Sequence, residues 1–211
     1  MSDISPELQA NLSGRAKAYY PNVLPYHNWD HALEVMGTVA NLASRSINTV
    51  IKNKRNLLIV TAAWHDADYA VEDLGGFQSK EERSAELAIQ SLPELSAEDK
   101  GLLYGGIIDT TVSKTPKGSL FGEVVHAADI GYFAASPARF IGRLTLMRQE
   151  WGNPSWKTTV QRTVSFGQTV IEDAQQVMPK VLPETDAEKW IARIRDNLAR
   201  LQTELDSGNL S

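Results

Sequence analysis

Histidine occurs four times in this chain of 211 residues, at positions 27, 31, 65 and 126, and an acid stands close to each. Asp30 precedes His31, Asp66 follows His65, and Asp129 lies three residues beyond His126. Imidazoles and carboxylates without any cysteine form a ligand set suited to Mn, Mg, Fe, Co, Ni or Zn. The pair His65-Asp66 closes the stretch LLIVTAAW, which is apolar on all sides. A carboxylate carried into such surroundings is costly unless it is paired or bound to a metal. A wet, polar helix end is the competing explanation, and the pair by itself does not choose between them. His126 and Asp129 share one face of the otherwise apolar VVHAADIGYF, because residues three apart are helix neighbours.

Helices must position these groups, since helical periodicity runs through nearly the whole chain. From Asn28, an N-cap candidate, the apolar set Ala32, Val35, Met36, Val39, Ala40 and Ala43 keeps helical spacing. A buried helix is predicted from about residue 55 to 66, with DLGGF as a loop after it. Ser79 to Glu82 is a capping box opening a helix that ends near Ser91. Further helices are predicted over about 96–110, 120–134, 137–151 (with Pro at its first position) and 155–177. A second capping box, Thr185 to Glu188, opens a last amphipathic helix carrying Trp190, Ile194, Leu198, Leu201 and Leu205. NTVI, residues 48–51, is too short to count as a strand. The expectation is one all-α domain over 1–211, a bundle of eight or nine helices.

Composition narrows the function classes. Hydrophobic residues at 42% and charged residues at 22% are ordinary for a globular domain. No apolar run approaches 18 residues, so no membrane span is expected. The N-terminal MSDISPELQANLSG lacks the basic and apolar regions of a secretory signal, and a cytoplasmic location is expected. A net charge of −5 argues against stable nucleic-acid binding, although a local basic cluster or a metal can still hold a small anion.

Taken together, the order His31, His65-Asp66, Asp129 resembles the H…HD…D signature of the HD-domain metal-dependent phosphohydrolases. His31 and His65 are 34 residues apart, Asp66 and Asp129 63 apart. YHNWDH, WHDADY, EERSAELA and HAADIGYFAASPARF are similar to the flanking segments of a branch of small bacterial HD hydrolases. The resemblance spans about residues 17–150, the HD core. Residues from about 155 to 206 are expected to add helices to it.

The resemblance implies an HD-type helical bundle and one divalent ion held by His31, His65, Asp66 and Asp129. It implies a hydrolase in which the metal activates water against a phosphate ester or pyrophosphate of a small metabolite or nucleotide. His27 is expected beside the ligands or against the substrate. Asp68, Glu81 and Glu82 are candidates for acid–base work, although Glu82 also fits the Ser79 cap and Glu81 also fits the first helical turn. Arg83 and Lys114, with Lys117 in the same loop, are candidates for binding phosphate. No histidine lies between 65 and 126, which disfavours a dinuclear site and an iron-dependent oxygenase. A non-catalytic metal- or nucleotide-binding sensor is the alternative from another class. The apolar last helix is expected either to pack inward or to form a homodimer face.

Overall fold

Small polar residues begin most of the helices. In the computed structural model, which describes residues 3–21, 23–112 and 118–207, ten α-helices and two 3-10 turns are present, and no strand occurs among the described residues. The helices are α1 (Pro6–Ala16), α2 (Trp29–Arg45), α3 (Thr49–Asn53), α4 (Arg55–Trp64), α5 (Lys80–Ser91), α6 (Ala97–Ile108), α7 (Leu120–Asp129), α8 (Pro137–Glu150), α9 (Trp156–Val181) and α10 (Glu184–Ser207). Ser5, Asn28, Asn48, Ser79, Ser96, Ser119 and Ser155 each accept a backbone N–H from the first turn that follows, satisfying donors that the helix itself leaves unpaired. The expected all-α bundle is therefore borne out.

Several boundaries differ from expectation. α1 was not anticipated; Ser5 caps it and Pro6 occupies its first turn. The last three residues of NTVI are helical, because the Asn48 side chain caps them, accepting the N–H groups of Val50 and Ile51. α4 stops at Trp64, leaving His65 and Asp66 in the tight turns beyond it. The helix expected to reach residue 134 divides into α7 and a 3-10 turn over Ile130–Ala134. α9 runs through Pro179 to Val181. α10 begins at Glu184, before the expected Thr185 cap, with Pro183 C=O accepting the N–H of Asp186 and of Ala187.

α4 is central, with α1, α2, α6 and α7 packed around it. Its residues Leu57 to Trp64 are all buried, as its all-round apolar sequence requires. The Trp64 indole N–H donates to Leu12 C=O at 3.0 Å, tying α1 to α4. α9 and α10 form a hairpin against this core. A Cβ at Gly167 would come within 2.4 Å of Leu198, so glycine sets their closest approach. Ile194, Leu198 and Leu201 are buried, so the apolar face of the last helix packs inward. The start of α7, which carries Asp129, is fixed by the Asp109 carboxylate accepting the N–H groups of Gly118 and Ser119.

Candidate metal centre

His31 lies in the first turn of α2, and Asn28 places it there. The Asn28 side-chain oxygen accepts the N–H of Asp30 at 2.9 Å and of His31 at 3.2 Å. Its amide nitrogen donates to Leu24 C=O and Pro25 C=O, so one side chain caps the helix and folds the preceding loop. His65 follows directly on α4. Its Nδ1 donates to Ala62 C=O at 2.8 Å, which in the neutral ring leaves Nε2 bare and directed at the cluster. Asp66 sits in the turn after α4, its N–H donating to the Tyr20 hydroxyl at 3.3 Å. Asp129 is the last residue of α7.

These four side chains, far apart in sequence, bring one ligand atom each to within 4.8 Å of one another. His31 Nε2 is 3.0 Å from Asp129 Oδ1 and 3.4 Å from Asp66 Oδ2; His65 Nε2 is 3.0 Å from Asp66 Oδ2 and 3.4 Å from Asp129 Oδ1. The two Nε2 atoms are 3.3 Å apart. Such separations are those between neighbouring ligand atoms when each binds one small divalent ion at about 2.0–2.2 Å. His31, His65 and Asp66 are buried, and Asp66 Oδ2 makes no hydrogen bond of proper geometry. A buried carboxylate oxygen without a donor is expensive. A cation bound by all four groups resolves that cost, so the donor set fits a divalent metal.

Burial opposes charge on His65, but the charges of Asp66 and Asp129 outweigh it and hold its pKa well above the ordinary imidazole value. His31 is raised in the same way, burial being overcome by Asp129 and Asp66. Burial likewise works against ionised Asp66 and Asp129, yet the two imidazoles hold both carboxyls below the usual range. Without a metal the cluster therefore retains protons; with one, the metal takes their place.

His27 stands beside this cluster rather than in it. Its Nδ1 is hydrogen-bonded to the Glu150 carboxylate, and Glu150 Oε2 also accepts the N–H groups of Tyr26 and His27 at 3.0 Å each. Burial works against the charge of Glu150, but the His27 contact prevails and lowers its pKa. The His27 ring stacks on Tyr69 with centroids 3.8 Å apart and planes at 15°. Lys80 Nζ lies over the same Tyr69 ring at 3.9 Å. Nothing in the sequence pairs Glu150, Tyr69 or Lys80 with His27; only the fold brings them together.

The remaining expected residues fall in different places. Asp68 and Arg83 are joined to each other: Arg83 donates through Nε and its terminal nitrogen to Asp68 Oδ2, 2.8 Å each. Asp68 has φ 65°, and its N–H donates to Tyr19 C=O. Glu82 forms a variant of the expected capping box: its N–H donates to Ser79 Oγ, while its carboxylate accepts the N–H of Gln78, one residue before the cap. Glu81 lies near enough to Tyr69 for its charge to help raise the phenol pKa, to which burial contributes most. Lys114 and Lys117 lie outside the described residues. His126 turns to Asp173 on α9, with Nε2 3.2 Å from Oδ2.

A cavity of about 390 Å³ opens beside Asp129 and His27, walled by Tyr26, Tyr69, Trp151 and Phe166, with Arg162 on its lining. That volume lies within the ordinary range for small-ligand sites.

This helical fold is that of phosphodiesterase domains. The phosphodiesterase domain of the Salpingoeca rosetta rhodopsin phosphodiesterase is similar with a TM-score of 0.74 and 16% identity, over 97% of this chain and 82% of that one. LmjPDEB1 in complex with IBMX is similar with a TM-score of 0.66 and 16% identity, over 95% and 83% of the two chains. A Lactobacillus plantarum structural-genomics protein gives 0.62 and 16%, over 97% and 96%. No family model and no curated protein matches the sequence. The likeness is therefore one of fold. No helix among the described residues is long and apolar enough to cross a membrane.

Proposed function

We propose that this protein is a metal-dependent phosphohydrolase that cleaves a phosphate ester or pyrophosphate of a small metabolite, with a nucleotide as the preferred class. The observation that carries this reading is the convergence of His31, His65, Asp66 and Asp129. The shared fold with phosphodiesterase domains supports the reaction class, and the aromatic walls of the 390 Å³ cavity suit a nucleobase.

His31, His65, Asp66 and Asp129 would hold one divalent ion. When bound, such an ion lowers the pKa of water and neutralises charge on a phosphoryl group. The chain supplies the rest. Glu150 fixes the His27 ring through Nδ1 and Tyr69 fixes its plane, leaving Nε2 as the nitrogen free to exchange a proton. His27 lines the cavity together with Asp129, so we assign it the proton donated to the leaving oxygen. Glu81 is the acid of its pair not taken by the cap, and its charge reaches Tyr69 on the cavity wall. The Arg83–Asp68 pair acts by holding the turn that follows the central ligands.

Release of phosphate from a panel of nucleotides and phosphate esters tests the proposal. Turnover should vanish with a chelator and return with a divalent ion. Chelator-insensitive turnover would refute the mechanism, and stoichiometric metal without turnover on any substrate would favour the sensor.

A further inference from the structure

α2 carries a polar stripe that the metal centre does not use up. His31, Glu34, Thr38 and Asn41 recur at helical spacing along one face, and only the first is a candidate ligand. Those four residues line a second cavity, of about 540 Å³. It is bounded on its other sides by Gly131 and Tyr132 of the 3-10 turn, by Arg139 on α8, and by Trp190 and Arg193 on α10. Asp129, Tyr26 and Tyr132 border both this cavity and the aromatic one, so the two flank the metal centre. Gly131 makes room for the wall: a Cβ there would stand 3.3 Å from Thr38 and 3.6 Å from the Trp190 ring.

The charged residues on the lining of this second cavity balance, Arg139 and Arg193 against Glu34 and Asp129, but both acids already have cationic or imidazole partners. Glu34 receives two guanidiniums on one carboxylate oxygen, from Arg143, whose side chain is 13% exposed, and from Arg139, at 57%. One carboxylate offsets only one of them, and Arg139, the more exposed, keeps donors to spare. Arg193, on the exposed side of α10, is the second cation on the lining. Apart from Glu34, the only acid on the lining is Asp129, which is engaged by the two imidazoles. Forked guanidiniums beside a flat indole suit an oxyanion attached to a planar ring.

We propose that this cavity is a second ligand site, for a small phosphorylated molecule with a flat ring, its phosphate held by Arg139 and Arg193 and its ring against Trp190. The site goes beyond the proposed hydrolase reaction and does not require turnover. It adjoins the metal centre through α2, which carries both His31 and the stripe, and through Asp129. A ligand there is positioned to alter the metal centre from behind while the aromatic cavity holds substrate.

Adenosine monophosphate and inorganic phosphate serve as probes, titrated calorimetrically into the full chain after exhaustive chelation and again after metal loading. Adenosine monophosphate should bind the chelated protein, more tightly than inorganic phosphate does. The double variant R139A/R193A, altered only at exposed side chains, should bind it about tenfold or more weakly, and W190F should weaken it without abolishing it. No binding to the chelated protein, or equal affinity in wild type and R139A/R193A, would overturn the site. Metal content is measured on the same samples. A failure of the metal proposal therefore shows as absent metal, while failure of this one shows as absent chelator-resistant binding.

Discussion

Glu150, on the last turn of α8, closes on His27, 123 residues earlier, and fixes it through three contacts: the ring nitrogen Nδ1 and the N–H groups of Tyr26 and His27. The contact orients an imidazole at the edge of a buried metal-ligand cluster without entering the cluster. Changing Glu150→Gln keeps the shape but removes the charge. Turnover should drop about tenfold to a hundredfold, KM should move little, and metal content should stay at the wild-type level. An unchanged kcat would remove His27 from proton transfer.

The four-ligand cluster predicts a sharp compositional result. Purified wild type should carry or take up one divalent ion per chain, and His65→Ala or Asp66→Ala should abolish stoichiometric binding, as measured by elemental analysis. Circular dichroism checks that the helices persist. Full occupancy in either variant would exclude the assigned ligands.

The pH dependence follows from the direction of the shifts. His31 and His65 are raised in the folded, metal-free protein. Their contribution to stability is therefore complete below the unfolded imidazole value of about 6.5 and is lost as pH rises through the raised values. Asp66 and Asp129 are lowered, so their contribution is present above about 3.9 and is lost as pH falls through the lowered values. Chelated protein should thus be most stable in the weakly acidic range and lose Tm toward alkaline pH. Metal binding should release protons at neutral pH, seen as a dependence of binding heat on buffer ionisation enthalpy. Proton-neutral binding would contradict the raised imidazoles.

Adjacent acids on α5 should behave differently. Glu82→Gln weakens the contact to Gln78 N–H and should lower stability by about 1 kcal/mol or less while leaving kcat within about twofold. Glu81→Gln should slow turnover by about tenfold or more at unchanged Tm. Steady-state kinetics beside thermal melts separates the two, and the reverse pattern would exchange their roles.

Trp151 walls the aromatic cavity and is 41% exposed, so its loss should not unfold the chain. Trp151→Ala should raise KM for a nucleotide about tenfold, with a smaller effect on a substrate lacking a base. Equal effects on both would place the base elsewhere.

Much of this was legible in the sequence because the signals are local. A serine or asparagine before an apolar period predicts a helix start wherever the chain goes next, and the caps expected at Asn28 and Ser79 formed. The Thr185 box did not govern its helix, because Pro183 supplies the acceptor two residues earlier. α3 was missed because it is only five residues long; α1, of eleven residues, was missed despite its Ser5 cap and Pro6.

The four ligand candidates were also readable, through the resemblance of the order His31, His65-Asp66, Asp129 to the H…HD…D signature; the cost of burying acids in apolar sequence pointed to a partner without choosing the set. Nothing local marked Glu150 for His27, or Arg83 for Asp68. A carboxylate on an amphipathic helix looks the same whether it meets solvent or a ring more than a hundred residues away. The sequence by itself determined an all-helical chain and marked four side chains that the fold gathers into one cluster able to hold a metal, because helix propensity, capping and donor type are properties of neighbouring residues. Only the tertiary structure decided which acid fixes which base, which acid serves a cap, and that the polar face of α2 lines a second cavity. Those outcomes depend on how helices pack across long separations, and no local pattern encodes them.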